Sequence, residues 1–468
     1  MNLNHARVKA LKGDGKTISR KAIKSGRASA NMTPRYSPMS SMLVSPNHSA
    51  AQSRVASDIS DDGGDDNNNN EFDLDDMASS VYSGGSVSEH AEDQEAPTFD
   101  SKALLAGLRD RKHNNNEMRE RYLDAFIRTL RTRYSPDTHL WLDDAAPDLA
   151  GSFLHDSDRA ATAKERLLSL QAYCLLIGTV GSLEVFDEAQ RVLKRIVLED
   201  DDDDCRVYAV YALCMAVLYG GGTEDAALEV MEYLVEIART DGESVDAPDN
   251  AVVVSAALQG WCFVASHVSD YADLADAAAD AFVDQLDSTD VEVQSNAGCC
   301  IALVFESSRT HLEDTGEPFQ LQYDPHRLAR RMADIARHCS RSVSRKHRRD
   351  LRESLLGVVT SLERGVGPFY STALFIPDKY EHVPASQRND DGQAEYGYRY
   401  KLRLGNSVAR VETWSLYFRV SLMKIVFKGG LQMHVFVNPV VMECLEDADF
   451  VQEHLAIRPE KKTTKRKK

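Results

Sequence analysis

The sequence predicts an all-α protein: a right-handed armadillo/HEAT-like α-solenoid with a small C-terminal helical domain and disordered tails. Two observations lead there. Apolar residues recur at helical spacing from about residue 101 onward, and paired helices separated by acidic or glycine-rich turns begin roughly 40 to 47 residues apart, the period of armadillo and HEAT units.

The elements follow in order. Residues 1–100 are rich in Ser, Asn, Asp and Gly and carry few large apolar side chains. They cannot offset an ordering cost of about 1–2 kcal/mol per residue, so a disordered leader is expected. Thr33-Pro34, Ser37-Pro38 and Ser45-Pro46 within it have the form of proline-directed phosphorylation sites. A helical-repeat domain is expected over 101–342. Met118, Tyr122, Ala125, Phe126 and Leu130 open it, before a break at Ser135-Pro136. Helices are then expected near 161–179, 183–198, 205–219, 224–239, 250–266, 270–286, 290–306 and 325–341. Small residues suit close packing of the inner helices: Ala209 and Ala212, Ala256 and Ala257, Ala297 and Ala302. Asp287-Ser288-Thr289-Asp290 sets an acidic cap before the next helix.

A C-terminal domain is expected over 343–450, followed by a basic tail at 451–468. Gly365, Gly367 and Pro368 end a helix, and an irregular insertion lies near 377–395. Tyr396, Tyr398, Tyr400, Leu402 and Leu404 alternate with Gly397, Arg399, Lys401 and Arg403, an extended pattern with one basic face. Trp414, Tyr417, Phe418, Leu422, Ile425 and Val426 restore a helical stripe. Gly429-Gly430 stops that helix, and Asn438-Pro439 begins another with a cap residue and proline at the first position.

Charge is arranged in blocks within a chain of net charge −18. Residues 1–35 hold nine bases against Asp14, while 58–100 hold fourteen acids and no base. Residues 183–325 carry thirty-one acids and six bases, but 327–352 carry ten bases and two acids. A uniformly basic nucleic-acid binder is thereby excluded, and localised basic elements become the candidates. Cys174, Cys205, Cys214, Cys262, Cys299, Cys300, Cys339 and Cys444 show no regular spacing and read as reduced core thiols. No apolar run approaches the roughly 20 residues that span a bilayer, and no secretory h-region is present, so a cytoplasmic and nuclear protein without a membrane partner is expected.

The C-terminal half resembles the interferon-related developmental regulator family. Ser344-Arg345-Lys346-His347-Arg348-Arg349-Asp350-Leu351-Arg352 resembles its basic run before a helix. Trp414 through Lys424, Gly429, Gly430, His434 and Asn438 resemble its tryptophan-containing helix, glycine break and His/Asn segment. Ala103 to Leu130 and the leader with Ser79-Ser80-Val81-Tyr82-Ser83 fit its N-terminal layout, so the resemblance spans about 60–450; the stretch near 377–395 departs from it. The resemblance implies a non-enzymatic regulator, linked to transcriptional co-regulation and to silencing of translation on inactive ribosomes.

Catalytic motifs are absent from the sequence. Gly220-Gly221-Gly222 is followed by Thr223-Glu224, not by the lysine of a phosphate-binding loop, and there is no HExxH or GxSxG. Ser266-His267 with Asp270 lies at an expected helix end, and Asp200 to Asp204 reads as a solvated turn that caps the next helix. No catalytic residue, cofactor, metal ligand or small-molecule substrate is therefore expected.

The expected sites are phosphate contacts. Arg327, Arg330, Arg331, Arg337, Arg341, Arg345, Lys346, Arg348, Arg349 and Arg352 face only Asp334 and Asp350 in the sequence, and arginine forks onto phosphate oxygens. Lys461, Lys462, Lys465, Arg466, Lys467 and Lys468 fit either a nuclear-import signal or an arm along RNA. The expected partners are the ribosome or ribosomal RNA, together with regulatory proteins. The alternative is a nuclear co-regulator or adaptor that holds a protein partner on the solenoid surface.

Overall fold

The structure, a computed structural model, describes residues 72–73, 100–181, 183–338, 344–377, 383–404 and 407–452. It is predominantly helical. The helices are α1 (Ser101–Arg109), α2 (Asn116–Thr132), α3 (Pro136–Asp143), α4 (Ala146–Arg159), α5 (Ala163–Val180), α6 (Phe186–Glu199), α7 (Asp203–Tyr219), α8 (Glu224–Arg239), α9 (Ala251–Ala265), α10 (Ala272–Gln285), α11 (Val291–Thr315), α12 (Pro325–Arg337) and α13 (Arg345–Arg364). After α13 the chain forms strands β2 (Tyr370–Phe375), β3 (Ala394–Tyr398), β4 (Tyr400–Leu404) and β5 (Ser407–Arg410). It closes with α14 (Trp414–Phe427), α15 (Leu431–His434), α16 (Pro439–Cys444) and β6 (Phe450–Gln452). A short strand β1 (Phe72–Asp73) precedes them all.

Alternate helices form two layers. In one, α5 packs on α7, α7 on α9, α9 on α11 and α11 on α13; in the other, α4 lies against α6 and α8 against α10. The inner helices are apolar on nearly every side. Cys205 through Val217 of α7 and Val253 through Leu258 of α9 are buried, whereas the outer helix α6 buries only Phe186, Ala189, Leu193, Ile196 and Val197. Tight contact needs small side chains, and all six of the alanines expected at these seams are buried.

Four polar contacts tie the α7–α8 hairpin to the α9–α10 hairpin at a nearly constant offset. Tyr211 Oη donates to Gln259 at 2.8 Å, Tyr219 Oη bonds His267 Nε2 at 2.8 Å, and Asn250 Nδ2 donates to Asp203 at 2.6 Å. Gln285 Nε2 donates to the Ala238 carbonyl at 2.6 Å. The residues joined lie 47 or 48 apart. The five-aspartate turn belongs to this lacing. Asp202 accepts from Cys205 N–H at 3.0 Å as the α7 cap, but Asp200 is buried and pairs with Arg166 of α5, so the run is not wholly solvated. Asp290 caps α11 as the sequence indicates, accepting from Glu292 and Val293 N–H at 2.9 and 3.2 Å.

Three departures from the sequence reading are clear. Helices α3 and α4 were not expected between 136 and 160, because Gly151, Ser152 and six aspartates dilute the pattern, yet Leu149, Ala150, Phe153 and Leu154 make one buried face. The C-terminal segment is not helical throughout. The alternating run at 396–404 is broken at Arg399 into β3, which pairs antiparallel with β2, and β4, which pairs with β5; the sheet order is β1-β4-β5-β6. Finally, α14 is enclosed by the repeat helices, lying against α5, α9 and α11. The expectations for the leader and basic tail fall on residues 1–71, 74–99 and 453–468, outside the described residues.

Candidate nucleic-acid interface

Helix α12 begins at Asp324, whose carboxylate accepts from His326 N–H at 3.2 Å, with proline at the first helical position. Leu328, Ala329, Met332 and Ala336 form its buried stripe against α13. That register turns Arg327, Arg330 and Arg337 to solvent. Helix α13 starts at Ser344, which accepts from His347 N–H at 3.2 Å. Leu351, Ser354, Leu355 and Val358 hold it in place, with Ser295 Oγ of α11 donating to Ser354 Oγ at 2.7 Å. The run expected to precede a helix is therefore its first two turns, with Arg345, Lys346, Arg349 and Arg352 exposed and Arg348 half-buried.

Internal carboxylates engage part of this surface. Arg331 pairs with Asp287 at 2.7 Å, Arg337 with Asp334 at 3.0 Å and Arg349 with Asp350 at 3.8 Å. Among the described residues, Arg327, Arg330, Arg345, Lys346, Arg348 and Arg352 have no carboxylate within 4.0 Å. No acid occupies the first turn of α13, so cations crowd the positive end of its dipole, an arrangement that costs stability unless an anion is present. Arg341, Lys461, Lys462, Lys465, Arg466, Lys467 and Lys468 lie outside the described residues.

The sheet carries further bases that the site expectation left out. On β4 the apolar members Tyr400, Leu402 and Leu404 are buried, which sends Lys401 and Arg403 to the opposite face, and Arg410 of β5 stands directly across from Lys401. Period-two alternation was the available signal. Burial raises the pKa of the Glu353 carboxyl of α13, and the charges of Arg349 and Arg399 oppose that rise.

The tryptophan segment has a structural task. Trp414 and Ser415 N–H both donate at 2.9 Å to the buried Glu306 carboxylate of α11, which thus caps α14 from another helix. Trp414 Nε1 donates to Ser361 Oγ at 3.0 Å. At the other end, Arg131 donates to the Val426 carbonyl at 3.0 Å, placing a cation at the helix C-terminus. Arg419 reaches the Ser266 carbonyl at 3.0 Å through Nε. His434 Nε2 meets the Leu130 carbonyl at 2.8 Å, and its Nδ1 faces the Asn438 amide at 3.0 Å. The carbonyl must receive a proton and the amide must give one, so the ring is neutral with hydrogen on Nε2. Burial pushes its pKa down to about 4. Asn438 also donates to the Gly178 carbonyl at 2.9 Å and caps α16. Of the two glycines, Gly430 is packed so that a Cβ would sit 2.1 Å from the Arg131 carbonyl, while Gly429 meets nothing within 4 Å.

Ser266 Oγ lies 3.2 Å from His267 Nδ1, and Asp270 accepts from Ala272 N–H at 2.9 Å. His267 is held between Tyr219 and the Phe263 carbonyl, and burial with nearby Arg419 pushes its pKa down to about 3. The seven described cysteines are buried and free of disulfides, burial pushing the thiols of Cys174, Cys299 and Cys444 up to about 12. Among the described residues no group of three His, Cys, Asp or Glu is placed to hold a metal, and no helix is long and apolar enough to cross a membrane.

Fold and surface together define a predominantly helical protein with a basic two-helix face on an acidic body. The chain belongs to the interferon-related developmental regulator (IFRD) family, whose model matches residues 75–363, from the leader through α13. The match includes the basic face and ends before Trp414. The chain is also similar to an uncharacterized protein of Schizosaccharomyces pombe, 21% identical over 234 residues that make up 47% of this chain and 46% of the relative. It thus spans about half the length of that curated relative.

Proposed function

We propose that this member of the family is a non-enzymatic regulator that binds ribosomal RNA through α12 and α13 and represses translation. The observation that carries the reading is the start of α13, where Arg345, Lys346, Arg348 and Arg352 lack an internal counter-charge at the positive end of a helix. RNA phosphates supply the missing anion, and arginine binds their oxygens in pairs. The acidic helices of the body repel a polyanion, so the basic patch also orients the encounter.

The frame is read as an armadillo/HEAT-like α-solenoid, supported by the two helix layers and by the 47- or 48-residue offset of the hydrogen bonds that join the α7–α8 hairpin to the α9–α10 hairpin. In this reading the protein resides in both cytoplasm and nucleus. An adaptor that holds a peptide against the inner helices is less favoured, because α14 of the same chain covers α5, α9 and α11. Sedimentation of the full chain with ribosomal particles on a sucrose gradient tests the function. Co-migration at low salt that disappears steeply as salt rises is expected. A chain that stays at the top of the gradient at every salt concentration overturns it.

A further inference from the structure

The run at 396–404 interleaves aromatic and basic residues, and its aromatic half has no part in the phosphate contacts of α12 and α13. The fold splits the tyrosines. Tyr400 of β4 turns into the core, where its ring stacks on Phe369 with centroids 5.2 Å apart. Tyr396 and Tyr398 stay on the two-stranded ribbon that β3 forms with β2.

That ribbon is fixed at its root and tied to the basic helix. Phe369, the residue before β2, is buried at a φ of 52°, a conformation that a bulky side chain keeps only where its surroundings dictate it. Arg364 of α13 donates to both oxygens of Glu395 on β3 at 3.0 and 3.1 Å, and Tyr370 Oη donates to the same carboxylate at 2.8 Å. Glu395 is the one acid of the two strands, so the pairing leaves the ribbon without a free negative charge.

Farther along, the aromatic rings are ordered without being buried. Tyr396 is 48% exposed, yet Phe375 stacks on it with centroids 4.6 Å apart and ring planes within 22°. Arg399 stands over the same ring at 5.8 Å from its centroid. A planar group stacks closer than that, at about 3.5–4 Å, so the guanidinium does not fill the stacking distance. Such a pair beside arginines suits a nucleobase: the base lays its π-face on the rings while its phosphates lie in the field of Arg399 and the α13 bases. An apolar peptide would gain nothing from those charges. Bases of a duplex are already stacked on one another, whereas unpaired bases are free to dock on a protein ring.

We propose that the β2–β3 ribbon is a stacking platform for an unpaired RNA base, with Tyr396 and Phe375 as the platform. The inference rests on RNA binding by α12 and α13 and adds the kind of RNA bound, a single strand. The α13 bases hold the backbone, and the ribbon takes a base from the same strand.

The test compares the affinity of the full chain for oligoadenylate with its affinity for an abasic strand of equal length and charge. Wild type is expected to prefer oligoadenylate roughly tenfold, the effect of one stacked base. That preference should fall close to one in Tyr396→Ala and persist in Tyr396→Trp, which keeps the π-face; a general loss of structure would not spare the second variant. Equal affinity of wild type for the two strands, with a steep salt dependence, overturns the platform and leaves phosphate binding by α12 and α13 intact. A preference that survives Tyr396→Ala also overturns it, and assigns the ribbon, with its exposed Leu374 and Ile376, to a protein contact instead. Binding of neither strand even at low salt removes both the platform and the RNA reading on which it rests.

Discussion

His434 shows how one side chain serves both stability and connection. It bridges Leu130, at the end of α2, to Asn438, the cap of α16, and does so as a neutral ring. Its ordinary pKa of 6.5 falls to about 4 on folding, so the unfolded chain binds the extra proton between those values. Stability is complete above pH 6.5 and declines as pH drops toward 4, by on the order of 3 kcal/mol for this group. His267 acts in the same direction. Glu292, raised to about 7 mainly by burial, acts in the opposite one. Replacing His434 by Gln, which retains a donor and an acceptor, isolates its share: the fall of Tm between pH 6.5 and 4 should be shallower in the variant. Equal slopes would refute the neutral-ring assignment. Gly430 gives a second residue-scale prediction. Gly430→Ala drives a methyl into the Arg131 carbonyl and should cost about 1–3 kcal/mol in urea unfolding, whereas Gly429→Ala should stay within about 0.5 kcal/mol of wild type.

At the scale of elements, the packed helices were readable wherever an apolar face repeats. Expected spans such as 224–239 and 250–266 match α8 and α10's predecessor α9 to within a residue or so, because their caps Thr223 and Asn250 and their periodicity agree. Helix α4 was hidden by poor helix formers whose cost is offset by tertiary burial. The position of α14 was illegible for a different reason: Glu306 and Arg131, which hold its two ends, lie 108 and 295 residues from their partners. The basic residues of α12 and α13 could be picked out from composition, but their division between ion-paired Arg331 and Arg337 and the remainder depends on which carboxylates the fold brings near. Lys401, Arg403 and Arg410 form a surface only once β4 pairs with β5. The capping of α14 from outside is itself testable. Glu306→Ala leaves the Trp414 and Ser415 N–H groups without their acceptor and should lower stability by about 1–3 kcal/mol, with loss of the near-ultraviolet signal of Trp414. A variant as stable as wild type would show that α14 does not depend on this contact.

On the scale of the whole molecule, an acidic frame presents its bases on a helix pair at the end of the inner layer and on an adjoining sheet. The C-terminal segment threads back across α5, α9 and α11, so the frame and the basic face are stabilised by one continuous core. Exposed arginines contribute little to such a core, and their removal should leave folding intact while abolishing what the face binds. The most direct measurement is the affinity for ribosomal RNA as a function of salt, compared between wild type and the variant Arg345→Ala, Lys346→Ala, Arg348→Ala, Arg349→Ala. With unchanged Tm, the variant should bind more weakly, and the slope of log K against log salt should fall by roughly 3 units, the loss of four phosphate contacts. Equal affinity and equal slope in the two proteins would contradict the assignment of this face to RNA.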